Sequence, residues 1–195
     1  GRLILTNAGG SYAQINLQVA ALMAMAALGK SNWNEVFQEV IGTPEKLQMT
    51  YSVPSSKNIL AAGGLETTPR AYGQFLEKVL RRQILGARHD DMEVDRTPNP
   101  MPMVFPPIQQ SIDEEWHYGY AQWRECHHLS WQPSCDTSIV LSSPGAYGFY
   151  PWLDREHQYW AVLGMMDDSV ANPVLADSLI LGRDLQKLVQ AALGL

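Results

Sequence analysis

The chain has 195 residues, of which 46% are hydrophobic, and it shows no internal repeat or low-complexity run. A chain of this length and composition is expected to form one globular unit with a sizeable core, which argues against disorder as its dominant state. The formal net charge is −6 and Lys and Arg are scattered along the chain, so there is no basic stripe and nucleic acid is not expected as a partner.

Helices are predicted for the first part of the chain. Residues 15–28 have strong helix propensity and almost no polar positions, and Gly29 follows as a C-cap, so this segment predicts a buried helix. Its apolar run is shorter than the roughly 20 residues needed to cross a bilayer, so no transmembrane segment is expected. Further helices are predicted over residues 33–41, from the apolar spacing, and from Pro69 onward, behind a threonine N-cap.

Two segments predict connections between elements. Residues 43–66 combine prolines and glycines with little periodicity, which is typical of an ordered connection. Residues 86–110 contain five prolines and a run of charges, which predicts a long surface excursion that faces a partner or covers a substrate. The regular ligand spacing of a calcium site is missing from its acidic cluster, which is therefore interpreted as a solvated loop. The cluster comprises Asp90, Asp91, Glu93 and Asp95.

After Ile112 the sequence changes to β-type runs. Residues 118–123 and 139–142 each predict a strand. Residues 146–153 and 158–166 predict a hairpin joined by a four-residue loop, and their aromatic residues suit a sheet with at least one packed face. An antiparallel sheet is therefore expected in this half of the chain.

A final helical region is predicted from Asn172-Pro173 onward. Its apolar residues form a stripe suited to packing on the predicted sheet, and Gly182 is expected to bend or break the helix. Helices first, then an antiparallel sheet, then a terminal helix packed on it is the order expected of the α+β class.

The two cysteines, Cys126 and Cys135, lie in a polar, proline-containing stretch. Their spacing favours a disulfide over two free thiols, and closing a loop of about ten residues is expected to stabilise the chain by roughly 2.5 kcal/mol. A disulfide would indicate a secreted, periplasmic or lumenal location. Zinc binding with His127 and His128 is disfavoured because a paired Cys-x-x-Cys spacing is absent, so no metal site is predicted. The remaining candidates, His117 and His157, are interpreted as surface histidines.

Five glycine-bearing or aromatic segments follow one another along the chain: residues 9–14, 41–50, 58–68, 118–120 and 142–154. In this order they resemble the serine β-lactamase and penicillin-binding protein-like family, which includes class C β-lactamases, DD-peptidases and related esterases. The first segment resembles the family's Tyr-x-Asn motif. The second partly resembles its Pro-Leu-Gly-Met-x-x-Thr stretch, and the third resembles its Gly-Gly-Leu-x-Ser-Thr segment. The last two resemble the strand before, and the strand containing, the Lys-Thr-Gly or His-x-Gly motif.

The resemblance implies acyl transfer, in which a serine attacks a carbonyl, a lysine and a tyrosine manage its proton, and backbone N–H groups hold the oxyanion. Tyr12 would be the general base or proton shuttle, and Gln14, where the family usually has Asn, would donate to a substrate carbonyl. A phenol can take this role only if cations or a lysine lower the cost of its ionisation. No cofactor is expected.

The resemblance also assigns roles to the later strand. Ser143 stands where Lys or His is usual, Gly145 would allow close backbone approach, and the N–H of Ala146 would be one oxyanion donor. The loss of a cation at Ser143 argues against binding a β-lactam carboxylate. A small ester, amide or peptide substrate is therefore expected instead.

The family's Ser-x-x-Lys motif is missing, since none of the five lysines has a serine three positions before it. The motif lies well before the Tyr motif in the family, and only eleven residues precede Tyr12 here. The resemblance therefore implies that residues 1–195 are the C-terminal portion of a single β-lactamase-like domain, with residues 1–111 as its mainly helical part and residues 112–195 as sheet strands and terminal helix.

Such a portion is expected to be incomplete without an N-terminal half. An open sheet edge and exposed apolar helix faces would need cover, so the expected partner is an N-terminal half chain or another protein subunit. Two functions follow. The chain is either the C-terminal part of a serine hydrolase or a catalytically inactive β-lactamase-like subunit with a structural or interaction role.

Overall fold

The structure is a computed structural model. It describes residues 10–11, 14–51, 59–97, 103–105, 107–137, 139–145, 147–165 and 174–195. The chain divides into two compact units, one of residues 13–84 and the other of residues 1–12 and 85–195. They are called below the 13–84 unit and the 85–195 unit.

The described helices and strands are numbered in chain order. They are β1 (Gly10–Ser11), α1 (Gln14–Leu28), α2 (Trp33–Phe37), β2 (Met49–Tyr51), β3 (Leu65–Thr67), α3 (Pro69–Leu80), α4 (His89–Glu93), β4 (Met103–Phe105), α5 (Pro107–Ile112), β5 (His117–Tyr118), β6 (Trp123–Arg124), α6 (Pro133–Thr137), β7 (Val140–Ser142), β8 (Phe149–Asp154), β9 (Tyr159–Gly164) and α7 (Val174–Leu193). A π-helical turn, Gln38–Gly42, follows α2, and a 3-10 turn, Gly86–Arg88, precedes α4.

Helix α1 forms as predicted but is buried along one side only. Gly29 follows its last residue with a φ of 63°, which glycine adopts without strain. The Lys30 N–H donates to Met25 O at 2.9 Å and closes the end of the helix. Ala21 and Met25 are buried, whereas the side chain of Met23 is 68% exposed. The prediction of a buried helix is therefore wrong for the face that carries Met23 and its exposed neighbours.

The second predicted helix, over residues 33–41, changes character halfway. Asn32 caps α2 by accepting the Glu35 N–H at 3.0 Å, and the chain then continues as the π-helical turn. The third helix, α3, begins at Pro69 as predicted, with the Thr68 hydroxyl accepting the Ala71 N–H at 3.2 Å.

Residues 43–66 contain strand structure that the sequence did not indicate. Strands β2 and β3 pair antiparallel, with Met49 opposite Thr67 and Tyr51 opposite Leu65. Tyr51 explains the position of this ribbon, because its ring packs edge-on against Phe37 at 5.2 Å between centroids and its hydroxyl donates to Ala61 O at 3.2 Å. The prediction of a connection without strands is wrong here.

The 85–195 unit is built on a five-stranded antiparallel sheet of order β5-β6-β7-β8-β9. Its longest ladder, β8 with β9, runs from Phe149 opposite Gly164 to Asp154 opposite Tyr159, and confirms the predicted hairpin. The predicted strand over residues 118–123 is instead the hairpin of β5 and β6. Gly119 N–H donates to Gln122 O at 2.8 Å across its turn, where Ala121 has a φ of 60°.

Aromatic side chains of the sheet form the main core, together with apolar residues of the flanking helices. The buried members are Ile108, Trp116, Trp123, Cys126, Cys135, Val140, Tyr150, Trp152 and Leu179. Helix α7 packs on this core without a break at Gly182. A Cβ there would lie 2.2 Å from Cε1 of the Tyr150 ring, so glycine allows close approach rather than a bend. The expectation of a bend is wrong, while the α+β class is confirmed.

The segment from residue 86 is not wholly a surface excursion in its described part. His89 is buried, and Glu93 forms an ion pair with Arg155, both side chains being nearly inaccessible. Asp95 accepts a hydrogen bond from the ring of His117. His117 is itself buried, and its ring stacks on that of Trp131 with 3.5 Å between the ring centroids. The interpretations of a solvated acidic loop and of a surface His117 are wrong for these residues.

Cys126 and Cys135 form the predicted disulfide, with their Cα atoms 5.4 Å apart. Strand β9 pairs with β8 and with no other described strand, so its outer edge is open within the described part of the chain. None of the helices described has both the length and the apolar character that a membrane span requires.

Candidate functional site

The end of β7 is where the structure places the predicted motif strand. Ser142 is buried and lies opposite Trp152, and Ser143 faces the other way and is exposed. The Ser143 N–H donates to Pro151 O at 3.2 Å, so the antiparallel ladder continues one residue past the strand. The Ser143 hydroxyl is therefore presented to solvent from a backbone that the sheet holds in place.

A tight turn follows this strand end and leads into β8. Gly145 N–H donates to Phe149 O at 2.7 Å, and Gly148 N–H donates to Gly145 O at 3.0 Å. Gly148 has a φ of 90°, which only glycine adopts readily. Because the Gly145 N–H is already engaged inside the turn, it is not available to a substrate oxygen.

The chemistry of this turn is set by neutral side chains. Residues 139–149 contain no charged residue, and the side chains of Tyr147 and Phe149 are exposed. A carboxylate would find no cation on this strand, whereas an uncharged group could lie against hydroxyl and aromatic surface. Within this stretch a ligand would therefore meet hydroxyl and aromatic groups and no cationic side chain.

The other predicted site residues are only partly placed. Tyr12 and Ala146 lie outside the described residues, and Gln14 is the first residue of α1, with its side chain outside the description. Their assigned roles therefore stay predictions, as do those of Ser143 and Gly145, whose positions alone are now given.

A polar cluster that the sequence did not predict lies in the same unit, around the buried carboxylates of Glu114 and Glu125. It is called the carboxylate cluster and comprises Glu114, Glu125, His127, Tyr150, Arg183 and Gln186. The signals in the sequence were faint: Glu125 and His127 flank a disulfide cysteine, and Arg183 and Gln186 are three residues apart on one helix face.

Hydrogen bonds connect the two carboxylates of the cluster to different partners. The Tyr150 hydroxyl donates to Glu125 Oε1 at 2.5 Å and the Gln186 amide donates to Glu125 Oε2 at 3.0 Å. Glu114 accepts from the Trp116 indole at 2.9 Å and forms an ion pair with Arg183. These bonds satisfy carboxylates that would otherwise be costly to bury.

The environment shifts the pKa values in the cluster. Burial opposes ionisation of Glu114, but hydrogen bonds from His127 and Trp116 and the charges of His127 and Arg183 outweigh it, so the pKa of this carboxyl is lowered. Burial raises the pKa of the Tyr150 phenol well above its usual range, and the negative charge of Glu125 raises it further. Tyr150 therefore stays neutral and acts as a donor.

Metal binding has no support among the described residues. Both cysteines of the zinc alternative are taken by the disulfide, and no group of three or more His, Cys, Asp or Glu side chains in the described part of the chain is placed to hold a metal ion.

No family model matches the sequence, and no curated protein matches it. Its fold is similar to that of solved structures. A Bacteroides dorei protein assigned as a β-lactamase superposes with a TM-score of 0.66 at 22% identity, covering 89% of this chain and 58% of its own. A β-lactamase from Mycobacterium bovis gives 0.63 at 17% identity, covering 88% and 63%. A mutant simvastatin synthase from Aspergillus terreus gives 0.57 at 13% identity, covering 80% and 49%.

These likenesses establish a β-lactamase-like fold and confirm the fold class. The chain spans about three fifths of the length of the first two of these proteins.

Proposed function

We propose that this chain is the C-terminal part of a serine hydrolase that transfers the acyl group of an ester, amide or peptide. The observation that carries the proposal is the likeness of fold, which extends over 89% of the chain. The β7 end and its turn support it, because they hold an exposed hydroxyl and a rigid backbone where the sequence resemblance assigns substrate contacts.

Two residues carry the proposed chemistry on this chain. Tyr12 relays the proton of the attacking serine, and the N–H of Ala146 holds the oxyanion that forms on the substrate carbonyl. The N–H of Gly145 is already engaged with Phe149 O, so it is not proposed as an oxyanion donor. Gln14 is proposed to donate to the substrate.

The nucleophile is proposed to lie on a polypeptide stretch outside these 195 residues. No Ser-x-x-Lys occurs in the sequence, and the similar β-lactamases are considerably longer than this chain. Strand β9 is the last strand of the sheet within the described part of the chain, which supports an N-terminal half as the partner, because an edge strand can pair with a further strand. Exposed apolar residues on α7, among them Ile180 and Leu188, would gain cover from the same partner.

The proposed substrate is a neutral ester, amide or peptide rather than a β-lactam drug. Ser143 provides a hydroxyl where a cation would be needed to fix a carboxylate, and no charged residue lies within residues 139–149. The disulfide supports an extracytosolic location, where such bonds persist.

The test begins with the intact protein and its encoding reading frame, which should place a Ser-x-x-Lys segment upstream of Gly1. The full-length product is then exposed to a fluorophosphonate probe and to a fluorescent penicillin, and adducts are read by intact mass. We expect a fluorophosphonate adduct on the serine of that motif and a much weaker reaction with penicillin. Tyr12→Phe should slow adduct formation by about 100-fold or more, because proton transfer contributes that much in general-base catalysis.

Tyr120→Phe is the matched control, since Tyr120 is an exposed tyrosine on the β5–β6 turn. It should label at the rate of the unchanged protein. An upstream motif that forms no adduct, together with an inert Tyr12→Phe change, would contradict the enzyme proposal.

The alternative is a catalytically inactive β-lactamase-like subunit. The observation that favours it is Ser143 in the position where the family usually has a cation. It would be supported by a reading frame without Ser-x-x-Lys and by stable association with another protein through the β9 edge.

A further inference from the structure

His127 lies between the two carboxylates of the carboxylate cluster. Its Nδ1 is 3.0 Å from Glu114 Oε2, and its Nε2 is 3.6 Å from Glu125 Oε2. Ionised carboxylates only accept hydrogen bonds, and a neutral imidazole has a single N–H to donate. Only the doubly protonated ring presents an N–H to both carboxylates, so the geometry favours an imidazolium.

The charges of the cluster lead to the same conclusion. Glu114 and Glu125 are buried, and Arg183 pairs with Glu114. Among the described residues, the hydrogen bonds that Glu125 accepts come from the neutral donors Tyr150 and Gln186. With a neutral His127 the cluster has one unbalanced negative charge, and with a protonated His127 its charges balance. An unbalanced buried charge is costly, so the state of His127 matters for stability.

The cluster joins separate elements of the 85–195 unit. Glu114 follows α5, Glu125 and His127 follow β6, and Tyr150 belongs to β8. Arg183 and Gln186 both come from α7, and each binds one of the two carboxylates that face His127. Helix α7 is therefore connected through Glu114 and Glu125 to the imidazole ring.

We propose that protonation of His127 strengthens the attachment of helix α7 to the sheet. This pH-dependent link is called below the clasp. In the protonated state His127 joins Glu114 and Glu125, and through them it holds Arg183 and Gln186 of α7 on the sheet. In the neutral state it can donate to one carboxylate only, so the contact on the other side is lost and α7 is held less firmly. The clasp does not depend on the acyl-transfer proposal.

The surroundings of His127 allow it to exchange protons with solvent while its ring stays in place. Its side chain is 34% exposed, so protons reach it from solvent. Its neighbour Cys126 is tied to Cys135, which holds the backbone at this position. The ring of Trp116 packs edge-on against the imidazole at 6.0 Å between centroids and limits its rotation.

The expected pH dependence follows from the pKa of His127. Burial alone would lower it, but the hydrogen bond to Glu114 and the negative charges of Glu125 and Glu114 outweigh burial and the opposing charge of Arg183, so the pKa is raised. A raised folded-state pKa stabilises the fold fully below the unfolded-state value of about 6.5, and this stabilisation is lost as pH rises through the folded-state value. Tyr150 stays neutral over this range.

The first measurement is an NMR titration of the histidine ring carbons in the unchanged protein. His127 should titrate above about 6.5, the ordinary value for histidine. Glu125→Gln, which keeps an acceptor and removes a charge, should lower the midpoint of His127 by about one pH unit. A midpoint at or below the ordinary value, or one that Glu125→Gln leaves in place, would overturn the proposal even if other variants failed to fold.

The second measurement compares His127→Gln with His128→Gln by thermal unfolding between pH 5 and 8.5. His128 is the matched control, because it is the adjacent exposed histidine and lies outside the cluster. The unchanged protein and His128→Gln should lose about 2–4 °C of Tm more than His127→Gln as pH rises through the His127 midpoint. Equal slopes for all three proteins would overturn the clasp.

Hydrogen exchange locates the effect. After correction for the intrinsic rate, the amides of α7 around residues 183–190 should lose protection at high pH in the unchanged protein and not in His127→Gln. Loss of protection spread evenly over the 85–195 unit would show a general effect of pH and would also contradict the clasp.

Discussion

One ion pair from each compact unit shows how enclosure by protein differs between opposite charges. In the 13–84 unit, Lys78 and Glu45 pair at 2.9 Å with side chains 29% and 23% exposed. In the 85–195 unit, Arg155 and Glu93 form the same kind of pair with side chains only 7% and 10% exposed. The first pair remains in contact with solvent, and the second is enclosed by protein.

The difference decides what each pair can contribute. A solvated pair gains little, because water screens its attraction and two long side chains must be held still. An enclosed pair has already lost its hydration, so removing one partner leaves an uncompensated charge. Removing a charge from the enclosed Arg155–Glu93 pair should therefore cost more stability than removing one from the solvated Lys78–Glu45 pair.

The largest expected effect tests this contrast directly. Glu93→Gln should destabilise the protein by about 3–5 kcal/mol, because it removes an enclosed negative charge that pairs with Arg155. Glu45→Gln, the matched change in the other unit, should cost less than about 1 kcal/mol. Urea unfolding at constant pH measures both. Equal losses for the two variants would show that enclosure does not distinguish these pairs.

The second contrast concerns covalent support, since both cysteines lie in the 85–195 unit. Replacing Cys126 and Cys135 together by serine should destabilise it by roughly 2.5 kcal/mol, because the unfolded chain regains the freedom of a loop of about ten residues. Thermal unfolding with and without reductant provides the measurement. Reductant should lower the Tm of the unchanged protein and leave that of the double variant alone.

The third contrast concerns glycines that lie against side chains. A Cβ at Gly182 would lie 2.2 Å from the rigid Tyr150 ring, whereas a Cβ at Gly42 would meet Oε1 of Gln38 at 2.4 Å, at the end of a movable side chain. Gly182→Ala should cost about 1–3 kcal/mol from overpacking, beyond the roughly 1 kcal/mol that alanine gains in helix propensity.

Gly42→Ala should cost less stability than Gly182→Ala, because the Gln38 side chain can move away from the new methyl group. That movement would break the hydrogen bond from the Gln38 amide to Met49 O. Gly164→Ala is the neutral control, since a Cβ there meets nothing within 4 Å. Urea unfolding of the three variants ranks them, and a Gly42→Ala loss as large as that of Gly182→Ala would argue against rigidity as the cause.

The parts of the fold that the sequence predicted are those with local causes. Helix α3 follows from Thr68, Pro69 and a regular apolar spacing, and the β8–β9 hairpin follows from two aromatic runs around a short polar stretch. The β5–β6 hairpin escaped prediction because Ala121, at a φ of 60°, gives no turn signal. The role of Gly182 is set by a tyrosine on another element, which periodicity cannot reveal.

The candidate site divides in the same way. Ser143 and Gly145 could be placed near a turn because a Pro-Gly sequence marks one. The carboxylate cluster could not be predicted, because its members are spread from Glu114 to Gln186 and only the folded sheet and α7 bring them together. A charged residue in the sequence does not by itself reveal whether it will be enclosed.

The smallest expected effect belongs to the 13–84 unit, where a local bond begins a helix. Thr68→Ala removes the hydroxyl that accepts the Ala71 N–H and should cost about 1 kcal/mol, the usual loss for an N-cap. Thr67→Ala is the control, because Thr67 lies one residue earlier and its hydroxyl donates only to the exposed Thr68 O at 3.3 Å. Hydrogen exchange at the first turn of α3 should rise in Thr68→Ala alone. A larger loss than that of Glu93→Gln would mean that local caps, rather than enclosed charges, limit the stability of this protein.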